Sequence, residues 1–235
     1  MISHMFHFLL AVSLWLAIAV PLQAGSITGA VRASGRVNQG EGGGSGNYDS
    51  RKFKFVERID YSAFRDFVIS VHPLPGGPRF PLSTNQPVRR VVQKDAQFVP
   101  HILAIQSGAR VEWPNQDEIF HNVFSLSEAM PFDLGLYLKG EQKTLQFDQA
   151  GRVDVFCSIH KSMSAVVLVL DTPYFTQTDK NGRFVLQDLP EGRWRVRAWH
   201  ERMFPKWVEV VVPASGAVTL DLTVNFDGGT PGKAP

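Results

Sequence analysis

The chain has 235 residues, 44% of them hydrophobic and 20% charged, with 24 Lys+Arg against 22 Asp+Glu and a formal net charge of +2. That composition describes one or two globular domains, and so small a positive excess with no long basic run excludes a nucleic-acid footprint. The single cysteine, Cys157, excludes an intramolecular disulfide and any four-cysteine zinc or iron-sulfur site.

From Phe8 to Val20 the chain reads FLLAVSLWLAIAV, shorter than the ~20 apolar residues that a membrane-spanning helix needs. Pro21 and then Ala24-Gly25 follow, so residues 1–24 are expected to be a secretory signal peptide, although the stretch before it offers no Lys or Arg, only His4 and His7. The mature chain is then periplasmic and does not span the membrane. An unpaired thiol in that oxidising compartment is oxidised unless something occupies it, and a metal would.

Downstream, Val, Phe, Ile and Thr recur in short period-two runs broken by Gly, Pro, Asn or Asp, and no long stretch has a 3.6-residue apolar period, which predicts an all-β fold. Ser26–Ala33 is a first strand, residues 39–46 (QGEGGGSG) a flexible insert, and Phe67–Val71 a second strand. The run from His72 to Pro78, rich in proline and glycine, stops a sheet ladder and marks a domain boundary. Strands are then expected at Val88–Val92, His101–Ile105, Arg110–Trp113, Ile119–Ser125, Gln142–Phe147, Arg152–Cys157 and Ala165–Leu170, enough for a small Greek-key sandwich over 87–170. Asp179-Lys180-Asn181-Gly182 reads as a hairpin turn, since the later Glu of a calcium loop is missing. Val208–Val212 and Val218–Val224 supply two last strands, and residues 226–235 form a Gly/Pro-rich tail expected to be disordered. Residues 25–78 and 171–225 thus flank the sandwich as two parts of a second, smaller one.

The chemistry is concentrated in Cys157-Ser158-Ile159-His160-Lys161-Ser162-Met163, which spaces a thiolate, an imidazole and a thioether as Cys-x-x-His-x-x-Met. Val153, Val155 and Cys157 share one strand face, so the sulfur points inward. A second imidazole, His121, lies upstream in another strand-like run. Two histidines, one cysteine and a weak axial methionine suit copper, because the sulfurs stabilise Cu(I) and the imidazoles accommodate Cu(II). Two other readings compete: a core cysteine beside a hydrogen-bonded histidine, and a Cys-His nucleophile pair, for which the sequence announces neither an orienting Asn or Asp nor an oxyanion hole. His101 and His200 read as structural, and His72 as a solvated boundary residue. No His-x-His pair occurs, which argues against an oxidase or reductase and for a protein that is not an enzyme.

The stretches Phe98-Val99-Pro100, Gly108, Val111-Glu112-Trp113-Pro114-Asn115, Phe120-His121-Asn122-Val123 and Cys157-Ser158-Ile159-His160 resemble the cupredoxins, with the two-residue gap before the methionine similar to amicyanin's short ligand loop. The resemblance covers about residues 87–170. It implies one type 1 copper with His121, Cys157 and His160 equatorial and Met163 axial, and it gives Asn122 the role of tying its strand to the ligand loop at Ser158. Ile159 and Lys161 stand where amicyanin's loop has prolines. The flanking segments, among them Gly29-Ala30-Val31, Val68-Ile69-Ser70-Val71, Leu189-Pro190-Glu191-Gly192 and Arg195-Val196-Arg197-Ala198, resemble the carboxypeptidase regulatory-like domain, an Ig/transthyretin-like sandwich. The whole arrangement resembles exported proteins of the methylamine utilization type. What these resemblances imply is a periplasmic one-electron carrier serving an unidentified redox partner protein through the His160 edge. A copper delivery or sensing module and a metal-free binding or structural β-protein are the alternatives.

Overall fold

The computed structural model describes residues 24–35 and 64–226. The expected signal peptide up to residue 23, the 39–46 insert and the tail beyond residue 226 lie outside the described residues. Every element within them is a strand. The chain opens with β1 (Gly25–Gly35) and β2 (Val68–His72), and residues 73–88 hold no strand. Ten strands follow: β3 (Arg89–Arg90), β4 (Val92–Lys94), β5 (Gln97–Val99), β6 (Ile102–Gln106), β7 (Ala109–Pro114), β8 (His121–Ser125), β9 (Phe132–Tyr137), β10 (Gln142–Phe147), β11 (Gly151–Phe156) and β12 (Ser164–Leu170). The last six are β13 (Phe175–Gln177), β14 (Arg183–Leu189), β15 (Gly192–His200), β16 (Met203–Val212), β17 (Gly216–Thr219) and β18 (Leu222–Phe226).

The middle ten strands close around one core. A five-stranded sheet, β6-β12-β11-β8-β9, faces a three-stranded sheet, β10-β7-β3, and Trp113, Tyr137, Phe147, Val153, Val155 and Val167 fill the space between them. Alternation on β11 places Val153 and Val155 inside while Arg152 and Asp154 stay partly exposed. β12 breaks that rule and is apolar on both faces. Ala165, Val167 and Val169 enter this core, whereas Val166, Leu168 and Leu170 meet Val68 and Trp199 on the far side. A strand buried on both faces has to read as a continuous apolar run, as SAVVLVL does.

The flanking strands build a second core between β14-β1-β17, with β18 also on β1, and β13-β2-β15-β16. The single strand expected over Val218–Val224 is two strands: β17 runs parallel to the first part of β1 and β18 parallel to the second. The break at Leu220-Asp221 is pinned by Leu220 N–H donating to Thr28 O at 2.8 Å and Ala30 N–H donating to Asp221 Oδ1 at 2.9 Å. Gly29 faces this crossing, and a Cβ there would sit 1.9 Å from Leu220 O, which explains the glycine. Phe226, assigned to the tail by sequence, ends β18.

Candidate metal centre

Pairing between β8 and β11 aligns Phe124 with Phe156, so Cys157, one residue past the end of β11, lies beside Asn122. The Asn122 N–H points to Cys157 Sγ at 3.4 Å. The connection to β12 is folded tightly: Cys157 N–H donates to Met163 O at 3.2 Å and Met163 N–H to His160 O at 3.0 Å. That turn carries His160 back over the thiol, with Sγ and His160 Nδ1 3.6 Å apart. His121, the first residue of β8, faces the same point, its Nδ1 3.0 Å from His160 Nδ1. The three donor atoms of His121, Cys157 and His160 lie within 4.8 Å of one another.

The other nitrogen of His121 is fixed. Nε2 lies 2.8 Å from Asp117 Oδ2, so the proton sits on Nε2 and Nδ1 presents a lone pair to the cluster. Asp117 is itself held by the N–H groups of Asp95, at 2.7 Å, and Ala96, at 2.9 Å, in the β4-β5 turn, where both residues have positive φ. Burial alone would raise the Asp117 carboxyl, but the Ala96 N–H, the His121 ring and the Asp95 N–H together hold it below its ordinary value. Asn115 closes the loop: its Oδ1 accepts from Asp117 N–H and its Nδ2 donates to Ile119 O and Tyr137 O. The β7-β8 loop is thereby a rigid mount for one imidazole.

Asn122 joins strand to ligand loop, its Oδ1 accepting from Ser158 N–H at 3.3 Å while its Nδ2 donates to Asp133 Oδ1 at 2.6 Å. That oxygen also takes the Gly135 N–H, and the Gly135 and Asn122 donors lower the Asp133 pKa. Met163 is fully buried in the same apolar cluster as Cys157; Met130 packs against the edge of that cluster and Met203 belongs to the second core. His121 is fully buried, Cys157 nearly so, and His160 is half-buried. Exposed Ile119, Phe120, Leu136 and Ile159 give this end an apolar rim with Lys161 beside it.

The remaining described histidines are bonded elsewhere. His101 binds Ser164 O and Glu201, and His200 packs on the rings of Phe64 and Phe67. His72 is not solvated, as its place before the proline run suggested. Strand β2 extends to include it, its side chain is 13% exposed, and its Nε2 pairs with Ser70 Oγ at 2.8 Å. Sequence reasoning also missed Asp117 and Asp133 as partners of the ligand strand. A carboxylate four residues before a candidate ligand histidine was the available signal for the first.

Two imidazole nitrogens and a thiol converge with one backbone N–H as the sole fixed donor, a set of lone pairs that a soft-to-borderline cation satisfies. Residues 88–170 match the family of copper binding proteins, plastocyanin/azurin family. That segment has a cupredoxin-like fold. Solved structures similar to it include a variant of amicyanin in its Cu(I) form, at 22% identity over 35% of this chain and 82% of that chain with a TM-score of 0.34. Amicyanin from Paracoccus versutus (Thiobacillus versutus) is 24% identical over 35% of this chain and 81% of its own, TM-score 0.34. A Cu-containing nitrite reductase from Thermus scotoductus SA-01 is 21% identical over 40% of this chain but only 25% of its own length, TM-score 0.35. No curated protein matches the chain. The matched segment ends where β12 ends, and its His-Cys-His cluster fits copper. No helix among the described residues is long and apolar enough to cross a membrane.

Proposed function

We propose that the protein is a periplasmic one-electron carrier, not an enzyme, with one type 1 copper that His121, Cys157, His160 and Met163 would hold. The observation that carries this reading is the convergence of the three donor atoms within 4.8 Å at the end of a β-sandwich. Copper, when bound, supplies a one-electron couple. The chain's own part is to keep its donors still. Asp117 orients His121 and keeps Nε2 protonated, the Asn122 N–H stabilises thiolate charge at Cys157, and Asn122 Oδ1 restrains the loop at Ser158. A site that barely moves between oxidation states costs little reorganisation. His160 is the half-buried ligand within an apolar rim, and its edge is the exit for the electron toward a partner protein. The flanking sandwich, in this reading a carboxypeptidase regulatory-like module, is a scaffold, and the resemblance to methylamine utilization proteins belongs to the same reading.

Titration of the purified protein with Cu(II) is expected to produce an intense visible charge-transfer band that saturates at one copper per chain and is absent in Cys157→Ser. Reversible Cu(II)/Cu(I) voltammetry completes the test. Tight Cu(I) binding without a reversible wave would replace the carrier with a copper delivery or sensing module, and a colourless, metal-free protein after cupric loading would end the copper reading.

A further inference from the structure

One end of the outer face of β13-β2-β15-β16 is covered, where Val68, Phe175 and Trp199 pack on β6 and β12. Further along, the register places Arg197 between Ser70 and Trp207, and Arg195 between His72 and Glu209. Alternation along β15 puts both arginines on this face. The Arg195 guanidinium lies 4.3 Å and that of Arg197 5.7 Å from the Trp207 ring centroid, and the His72 ring meets the indole edge-on at 5.1 Å. Among the described residues, neither arginine hydrogen-bonds to a carboxylate. Glu209 is taken by Arg193 at 3.0 Å, and Asp171, 3.4 Å from His72 Nδ1, is 53% exposed. Arg197 Nε is buried with no hydrogen-bond partner. Burial, opposed by Asp171 and reinforced by Arg197 and Arg195, brings His72 down to about 4, so it is neutral near pH 7 and adds no charge.

We propose that this face binds a small carboxylate with an apolar body, its oxygens taken by Arg195 and Arg197 and its body laid against Trp207. Guanidinium donors in a fixed fork match a carboxylate. With Glu209 paired to Arg193, two cations face one remaining anion, Asp171, which favours a monoanion over a phosphate, and the exposed parts of Trp207 and Val211 favour an apolar group beside the charge. The Arg197 Nε is buried without an acceptor, so the Nη groups are the donors of Arg197 that a carboxylate can meet. The site belongs to the second core and stands or falls independently of the copper reading.

Benzoate is the probe, with acetate and phosphate as comparisons, read by the indole resonance of Trp207 in the full-length protein. The expected result is a saturable benzoate shift, weaker for acetate and not stronger for phosphate, with affinity about tenfold lower in Arg197→Gln. Arg195→Gln, at the more open position, should lose affinity to a similar extent with an unchanged melting temperature, which keeps the test valid if the Arg197 variant folds poorly. No saturable shift at tens of millimolar benzoate, unchanged affinity in Arg195→Gln, or tighter binding of phosphate would each overturn the proposal.

Discussion

His121 shows how much of a metal ligand's character is set by an atom that does not touch the metal. Its Nε2 is buried against Asp117, and Asp117 spends its oxygens on that ring and on two backbone N–H groups of the β4-β5 turn. Asp117→Ala therefore leaves the buried His121 Nε2, and with it the less buried Asp95 and Ala96 N–H groups, without their acceptor. We expect a loss of ~1–3 kcal/mol in the metal-free protein by urea unfolding, and ~10–100-fold weaker copper binding by competition titration. Protonation elsewhere in the chain shapes stability against pH. His72 titrates at about 4 when folded and at 6.5 as a free side chain, so the unfolded chain holds the extra proton between those values. Stability falls as pH drops from 6.5 toward 4, and His72→Gln should flatten that limb. His101 has the opposite sign. Its hydrogen bond to Glu201 raises its pKa against the opposing effect of burial, so its contribution is complete below 6.5 and is lost as pH rises through the raised value. The same bond lowers the Glu201 pKa, a contribution present above the ordinary carboxylate range and lost as pH falls through the folded value. Urea midpoints measured from pH 4 to 8 on the wild type, His72→Gln and His101→Gln check the two histidine directions, and a Glu201→Gln series extended to pH 2 checks the third.

At the level of the strand, β1 serves two parallel neighbours in succession, and Gly29 stands where one is exchanged for the other. Gly29→Ala would drive a methyl into Leu220 O, a backbone atom that cannot swing aside, and we expect a cost of about 3 kcal/mol or more. Gly135 is the useful contrast. Its φ is 68° and nothing lies within 4 Å of an added Cβ, so Gly135→Ala should cost only the ~1–2 kcal/mol of a left-handed residue. Unfolding midpoints of the two variants separate a steric clash from a conformational penalty. The same scale explains two misreadings. A Val-rich run from Val218 to Val224 looks like one strand because period two continues through Leu220-Asp221, and only the partner β1 reveals the break. β9 was missed because Phe132–Tyr137 carries Asp133 and Gly135, which local propensity assigns to a turn, whereas pairing with β8 keeps it in the sheet.

Across the whole molecule, the apolar outer faces of β6 and β12 meet Val68, Phe175 and Trp199. Around this seam Arg152 Nη1 donates to Glu201 O at 2.8 Å and lies over the Trp199 ring, while Glu201 reaches His101 at 2.9 Å. Trp199 is the largest side chain in the seam. Removing it should cost ~3–5 kcal/mol, and the effect should be on cooperativity as well as stability. Calorimetry is expected to show one transition for the wild type and two for Trp199→Ala, since each core keeps its own packing when the contact between them is lost. A single, merely lowered transition in the variant would mean that the cores are coupled by something other than this seam.

The sequence by itself determined the all-β class and the candidate donor residues, because strand alternation and the chemistry of a lone cysteine beside histidine and methionine are local properties. His121 could be named with them because its donor type matched, though nothing local says that it reaches Cys157. The convergence and the Asn122 link to Ser158 followed from the family resemblance and from no local pattern, and the Asp117 clamp came from the tertiary structure alone; all three join residues that are distant in the chain or on different elements. The tertiary structure also decided the fate of His72, which a run of prolines and glycines follows in the chain but which packs in space on Trp207 and beside Asp171. Burial and hydrogen bonding are set by what lies across the sheet, and pairing across a sheet is a long-range property that no window of sequence contains.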